Sequence, residues 1–275
     1  MLIAIYTKGD DYGADKRYTA MLERLSDAGF EYYYIRNAED IRPGTLMVLS
    51  VGGDGTFLSA SKRVGVSGIP VGGVNLGRLG FLSEYSPEEV ADALVRGTFC
   101  TEDRDLLEVK LNGPVIEEGS SFWPYALNEI SIHRSGAAIL GEDVLIDGDP
   151  LPTYWADGLL VATSSGSTAY SLSVGGPICT PDTKVLIISP IAPHNLNVRP
   201  LVVPCSTEIS LSVRSRDENV IVSMDNRTLK ASPQTRIDVR MAQFSLKRVR
   251  LEKSNFIKAL KTKLFWGEDI RNGEN

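Results

Sequence analysis

The sequence predicts an α/β plus all-β chain. An N-terminal α/β domain built on a parallel sheet is followed by a β-sandwich-like domain, and a final helix returns to the first. Three observations predict this. The first hundred residues alternate short apolar runs with stretches of helical spacing, the pattern of strands joined by crossover helices. From Leu106 to Leu251 the pattern is mostly alternation of period two with turn signals between runs. The chain then becomes helical again, and a lone helix after a β domain needs a surface to pack on. The expected boundaries are 1–101 plus 254–275 for the first domain and 102–253 for the second.

Leu2 to Tyr6 reads as the first strand rather than a signal peptide. Ala14 to Ala28 carries Tyr18, Met21, Leu22 and Leu25 on one helical face, with Gly29 suited to the C-cap. Phe30–Ile35 and Leu46–Val51 are strand-like, Thr56–Val64 fits a helix, and Ile69–Val74 is a further strand. Ser86-Pro87-Glu88-Glu89 has the residues of a helix start: Ser at the N-cap, Pro at N1, Glu at N3. In the second domain the strand-like runs are Leu106–Leu111, Leu127–Ile132, Val144–Ile146, Ile209–Val213, Val220–Met224 and Ile237–Val239. Asp147-Gly148 is a hairpin turn. At the end, Phe256, Ile257, Leu260, Leu264 and Phe265 are expected to share an apolar face.

The chain has 275 residues and a net charge of −6, with no basic stripe, which argues against a nucleic-acid partner. No apolar run approaches the roughly 20 residues of a membrane span, so no membrane partner is expected. Cys100, Cys179 and Cys205 are odd in number and far apart, fitting neither a metal site nor a disulfide framework; a reducing cytoplasm is the expectation. His133 and His194 are too few for a histidine-based metal site.

The segment richest in chemistry is LMVLSVGGDGT, residues 46–56: a buried strand running into Gly52-Gly53-Asp54-Gly55-Thr56. Glycines let backbone N–H groups approach an anion closely, and a helix start behind them favours phosphate. Asp54 is the anomaly. A negative charge inside a phosphate cradle points to a hydroxyl proton or a metal ion; the competing reading is a tight turn with Asp54 as N-cap of the next helix.

Four further segments are more polar than burial alone would choose. Asn128-Glu129 interrupts the apolar run 125–132, which costs free energy unless both find partners. A sugar diol offers donors and acceptors to match them; a strand end turned to solvent is the alternative. Asp157-Gly158 precedes the apolar run 159–162. Thr163 to Ser171 is rich in hydroxyls and suits neutral hydrogen bonding to a base or sugar, although Ser/Thr-rich turns are common. Met224-Asp225-Asn226-Arg227 reads as a polar hairpin turn that also brings a carboxylate and an Arg.

GGDGT at 52–56, NLGRLGFL at 75–82, ALNE at 126–129 and ADGLLVATSSGSTAYSLSVGGP at 156–177, in this order, resemble NAD kinases. SPIAPHNLNVRPLVVP at 189–204 and LKTKLFW at 260–266 extend the likeness over nearly the whole chain. The resemblance implies transfer of the terminal phosphate of ATP, or of inorganic polyphosphate in some members, to the 2′-hydroxyl of the adenosine ribose of NAD. It also implies a divalent metal, usually Mg²⁺, and a homodimer or homotetramer. By the same resemblance, Asp54 is the general base and with Gly55 contacts NAD, and Gly52, Gly53, Gly55 and Thr56 hold phosphate. Asn128 and Glu129 bind the ribose and nucleotide, and Asp157 meets the nicotinamide end. Thr168, Ala169, Tyr170, Ser171, Leu172 and Ser173 hold the adenine part, and Arg227 falls where some members contact the dinucleotide by a Gln. Many members have Pro where this chain has Ser164, which frees one φ angle and adds a donor. No metal-ligand set is evident, so the metal is expected to arrive with ATP. Lipid kinases share the GGDGT loop but carry a Pro-x-Gly-Thr-Gly-Asn type segment where this chain has Asn75-Leu76-Gly77-Arg78-Leu79-Gly80. A sensor that only binds NAD would not need Asp54.

Overall fold

The computed structural model describes residues 1–9, 15–77, 80–117, 122–252 and 255–264. Ala14, Arg78, Leu79, Ser254, Phe265 and Trp266, all used above, lie outside these. The chain divides into two compact units, Met1–Asp103 with Leu246–Asn275, and Arg104–Ser245.

Unit 1 holds a parallel sheet of β1 (Leu2–Thr7), β2 (Glu31–Ile35), β3 (Thr45–Val51) and β4 (Val71–Val74), in the order β4-β3-β1-β2. Helices α1 (Lys16–Asp27), α2 (Asp54–Val64) and α3 (Pro87–Arg96) connect and follow them. Asp15 caps α1 by accepting from Arg17 N and Tyr18 N, and the α1 face of Tyr18, Met21, Leu22 and Leu25 is buried. Helix α3 starts with the expected capping box, Ser86 with Glu89, and Pro87 in the first turn. Helices α1 and α3 close over Ile3, Ile5, Met47, Leu49 and Val74 of the sheet. The strand–helix–strand order puts the carboxyl ends of β1, β3 and β4 on one edge, where ligands of open α/β sheets bind.

The chain leaves unit 1 along β5 (Phe99–Asn112). Unit 2 then contributes β6 (Val115–Glu117), β7 (Tyr125–Ala126), β8 (Glu129–Arg134), β9 (Leu140–Ile146), β10 (Asp149–Pro150), β11 (Tyr154–Ala156) and β12 (Gly158–Thr163). After the short helix α4 (Tyr170–Ser173) come β13 (Val185–Ile191), β14 (Leu201–Pro204), β15 (Ile209–Arg214), β16 (Val220–Met224), β17 (Arg227–Ala231) and β18 (Arg236–Leu251), which leads back to unit 1. One antiparallel sheet has the order β14-β13-β12-β8-β16-β17-β6. In the other, β9 pairs with β10, β11 and β15, and β15 pairs with β18. Inner-facing residues of both sheets share one core, among them Ile130, Ile132, Leu159, Val161, Leu140, Val144, Ile209 and Leu211, which is sandwich packing. Asp147 and Gly148, both at positive φ, turn β9 into β10. The unit is not purely β: a 3₁₀ turn at Ser165–Thr168 and α4 interrupt the strands.

The inner face of β9 contains one residue that alternation alone would not place there. Glu142 lies between Leu140 and Val144, opposite Tyr154 and Val213. It is 0 % exposed, and neither carboxyl oxygen meets a partner among the described residues. Burial pushes its carboxyl up to about 9, so it is neutral at physiological pH.

The final helix α5 (Phe256–Leu264) belongs to unit 1, with Ala259 and Leu260 buried and the Phe256 ring 6.4 Å from that of Phe81. Ile257 is 54 % exposed and does not share the apolar face expected of it. The buried stripe runs through positions three and four apart from Phe256, and the next residue turns about 100° away.

Candidate functional site

In unit 1 the site is built where β3 ends. Gly52 has φ +142°, and a Cβ there would meet Thr56 Oγ1 at 2.5 Å, so only glycine fits this turn. Gly53 is the N-cap of α2, and Asp54 is its first residue. Asp54 therefore does not cap its own helix. Its Oδ2 accepts from Phe81 N at 2.8 Å, and its Oδ1 from Leu82 N and Ser83 N at 3.0 and 2.9 Å. Gly80 lies so close that a Cβ would fall 1.8 Å from Asp54 Oδ1. Asn75 braces the same loop, donating to Ser83 O at 2.9 Å and accepting from Gly77 N at 2.7 Å. The NLG…GFL block is thus an envelope for one carboxylate. An ionised carboxylate has about four acceptor positions; among the described residues these N–H groups take three. Lys8, at the carboxyl end of β1, brings its Nζ within 3.7 Å of the Cβ position of Gly55. Burial, and then Arg63, pull this ammonium below its usual range. It places a cation beside the Gly52–Thr56 loop, one that no motif in the sequence singles out.

In unit 2 the polar pair sits at a break between β7 and β8. Leu127 and Asn128 give their N–H groups to the Asp225 carboxylate at 2.9 and 2.8 Å, and Asp225 N donates back to Glu129 O at 3.0 Å. This is why Leu127 and Asn128 do not continue the strand expected over 127–132. Asn128 O accepts from Thr163 N at 2.9 Å, and Thr163 Oγ1 donates to Leu127 O and accepts from Gly166 N. The hydroxyl-rich segment is thereby laid on the Asn128 backbone, while the Asn128 side-chain amide has no partner among the described residues. Glu129 is 8 % exposed, and its Oε2 has none either. Burial, helped by the nearby Asp225 charge and opposed by the Tyr170 N–H, raises its carboxyl to about 8. Burial also raises Asp225.

Glu129, Ser131 and His133 alternate along one face of β8, and the Tyr170 ring stacks on His133 at 5.7 Å. Thr168 Oγ1 reaches Ser165 O at 3.4 Å, Ala169 N donates to Gly166 O at 2.9 Å, and Ser171 carries a buried hydroxyl without a partner among the described residues. Leu172 and Ser173 complete α4. At the far end of β8, Arg134 grips Asp157 with two bonds, Nε to Oδ1 at 2.8 Å and Nη2 to Oδ2 at 3.3 Å. Four strand steps separate Glu129 from His133, about 14 Å. Glu129, Ser131 and His133 thus form an elongated polar track with unpaired donors and acceptors at the Glu129 end. Arg134, one step on, turns to the face of Ile130 and Ile132, where its ion pair closes the strand end. Arg227 is held by protein groups. It donates to Trp123 O and Tyr125 O and lies 3.9 Å from Asp225, so it braces the turn that holds Asp225. Asp225, the carboxylate expected of this turn, is the residue that takes the Leu127 and Asn128 N–H groups. The signal was present: a carboxylate in a two-residue turn between apolar strands.

Among the described residues no group of three His, Cys, Asp or Glu side chains is placed to hold a metal ion, and no helix is long and apolar enough to cross a membrane.

Residues 6–98 match the family model of the ATP-NAD kinase N-terminal domain, and residues 127–251 that of the ATP-NAD kinase C-terminal domain. The NAD kinase of Bacteroides fragilis is 44% identical over 229 residues, 82% of this chain and 78% of that protein. The NAD kinase of Flavobacterium psychrophilum is 39% identical over 262 residues, 94% and 88% of the two chains. Among solved structures, an NAD kinase from Archaeoglobus fulgidus in complex with ATP aligns with TM-score 0.75 and 26% identity, over 92% of this chain and 95% of that one. Yeast NADH kinase complexed with NADH has TM-score 0.83 over 100% and 90% of the two chains; at 24% identity it shows a common fold.

Proposed function

This chain belongs to the NAD kinase family, and from that premise we infer how its own residues carry the reaction. It is a phosphotransferase that moves the terminal phosphate of ATP to the 2′-hydroxyl of the adenosine ribose of NAD, giving NADP and ADP. The observation that carries the residue-level reading is the Asp54 carboxylate, held by three backbone N–H groups at the head of a phosphate loop. A ribose hydroxyl is a poor nucleophile at neutral pH. Asp54 accepts its proton through the remaining lone pair as the P–O bond forms, a contribution of about 10²–10⁴-fold. Gly52, Gly53, Gly55 and Thr56 receive phosphate oxygens at the α2 N-terminus, with Lys8 as a nearby counter-charge. Positioning and charge neutralisation supply the rest of the acceleration.

Asn128 and neutral Glu129 bind the ribose hydroxyls: a protonated carboxyl both donates and accepts, and the amide does the same. The segment Thr168 to Ser173 holds the adenine part, and Asp157, oriented by Arg134, meets the nicotinamide end. Arg227 serves through Asp225. No set of side chains among the described residues is placed to hold a metal; a divalent ion such as Mg²⁺ bound to ATP would supply charge neutralisation on the transferring group. We further propose a homodimer or homotetramer working in the cytoplasm; three free cysteines fit a reducing compartment.

The test is a coupled assay. NAD, ATP and Mg²⁺ are mixed with the protein, and NADP is read with an NADP-specific dehydrogenase; polyphosphate and NADH are substituted in turn. NADP is expected with ATP, and Asp54→Asn is expected to lower turnover about 10²–10⁴-fold with little change in NAD binding. An Asn variant that keeps more than a tenth of wild-type turnover refutes the base role.

A further inference from the structure

Lysines of a terminal helix normally face water, as Lys258 and Lys261 do. Lys263, on the last turn of α5, does not: its side chain is 8 % exposed. Taking an ammonium out of water is costly unless partners repay it. Its partners all come from one short stretch of chain. Nζ donates to Gly80 O, lies 3.6 Å from Glu84 Oε2, and stands 4.8 Å over the Phe81 ring. Gly80 N in turn donates to Ser83 O at 3.0 Å and closes the turn. Residues 81 to 83 are those whose N–H groups hold Asp54. Burial lowers the Lys263 ammonium, while the charges of Glu84 and Asp54 raise it, so the two ends of this chain of contacts are in electrostatic reach of each other.

We propose that Lys263 is a positioning residue for phosphoryl transfer. Its ammonium clamps Gly80 and Glu84, and the clamp aims the N–H row of residues 81–83 at the Asp54 carboxylate. The proposal rests on the reading of Asp54 as the base. The loop has a second strut, Arg248, which donates to Leu82 O at 3.3 Å and pairs with Glu84 and Glu102. Removing Lys263 therefore frees the Gly80 end without unfolding the loop. The carboxylate then loses its fixed direction rather than its chemistry. Apart from Asp54 and Gly55, the groups assigned to NAD lie in unit 2, so the effect belongs in kcat.

The test uses Lys263→Met, which keeps the stem and removes the charge, and Lys263→Arg, which keeps charge and donors. A misplacement of about 1 Å costs on the order of 10²-fold, so kcat of the Met variant should fall roughly 10- to 100-fold, with the KM for NAD within about twofold of wild type. Amide hydrogen exchange at Phe81, Leu82 and Ser83 should quicken at least about tenfold in the Met variant, while β1 and β3 stay protected. The Arg variant should recover both readouts in large part. A Met variant with wild-type kcat overturns the proposal, and so does a loss of kcat without faster exchange at 81–83. The exchange measurement needs no turnover. If Asp54→Asn keeps its activity, the base reading falls while exchange still reports whether Lys263 holds the loop.

Discussion

Glu142→Gln should make the protein more stable, and by an amount that grows with pH. The wild-type carboxyl is fully buried and without a partner among the described residues, and burial raises it from 4.5 to about 9. A group raised on folding contributes its full share below the unfolded value and loses it as pH climbs toward the folded value. For Glu142 that window runs from about 4.5 to about 9. At pH 7 the unfolded chain has released the proton and the folded chain has not. At about 1.36 kcal/mol per pH unit, this penalty on folding is about 3 kcal/mol, and less than about 1 kcal/mol at pH 5. Gln has nearly the same shape and cannot ionise, so it escapes the penalty. Urea unfolding of both proteins at pH 5, 6, 7 and 8, followed by tryptophan fluorescence, measures the difference. Glu129 also titrates in this range, but it is common to both proteins and cancels. A Gln-minus-wild-type difference that does not change with pH refutes the argument.

Two further outcomes follow from the geometry. Gly80→Ala would drive a Cβ into the Asp54 carboxylate; turnover should fall about 10²-fold while NAD still binds, and an Ala variant with normal turnover would show that the envelope does not matter. Glu129 is neutral below about 8 and charged above it, so the KM for NAD should rise as pH passes that value. Glu129→Gln should flatten the rise, and parallel profiles for the two proteins would remove Glu129 from the ribose site.

Much of this molecule follows from its sequence alone. Period and turn chemistry are local, so β1 to β4, the apolar face of α1, the capped start of α3, and the Asp147-Gly148 hairpin follow from residues a few positions apart. The GGDGT loop is also local, since a strand end, glycines and a helix start lie within eleven residues, 46–56. Matches to both halves of a family place the remaining blocks in order. What the tertiary structure decided are contacts between residues far apart in the chain. Asp54 could have capped its own helix. It instead faces a loop 27 to 29 residues later, because Gly80 allows that loop to come close. Asn128 leaves its strand because a carboxylate 97 residues away takes its N–H. Arg227, next to that carboxylate in sequence, turns away to backbone carbonyls about a hundred residues earlier. Lys263 looks like one more solvent-facing lysine until the loop 183 residues before it is packed against α5. Glu142 occupies a core position that alternation alone reserves for an apolar side chain. Local pattern sets which elements form; which buried polar atom meets which partner depends on distance in space, and one sequence has no measure of that.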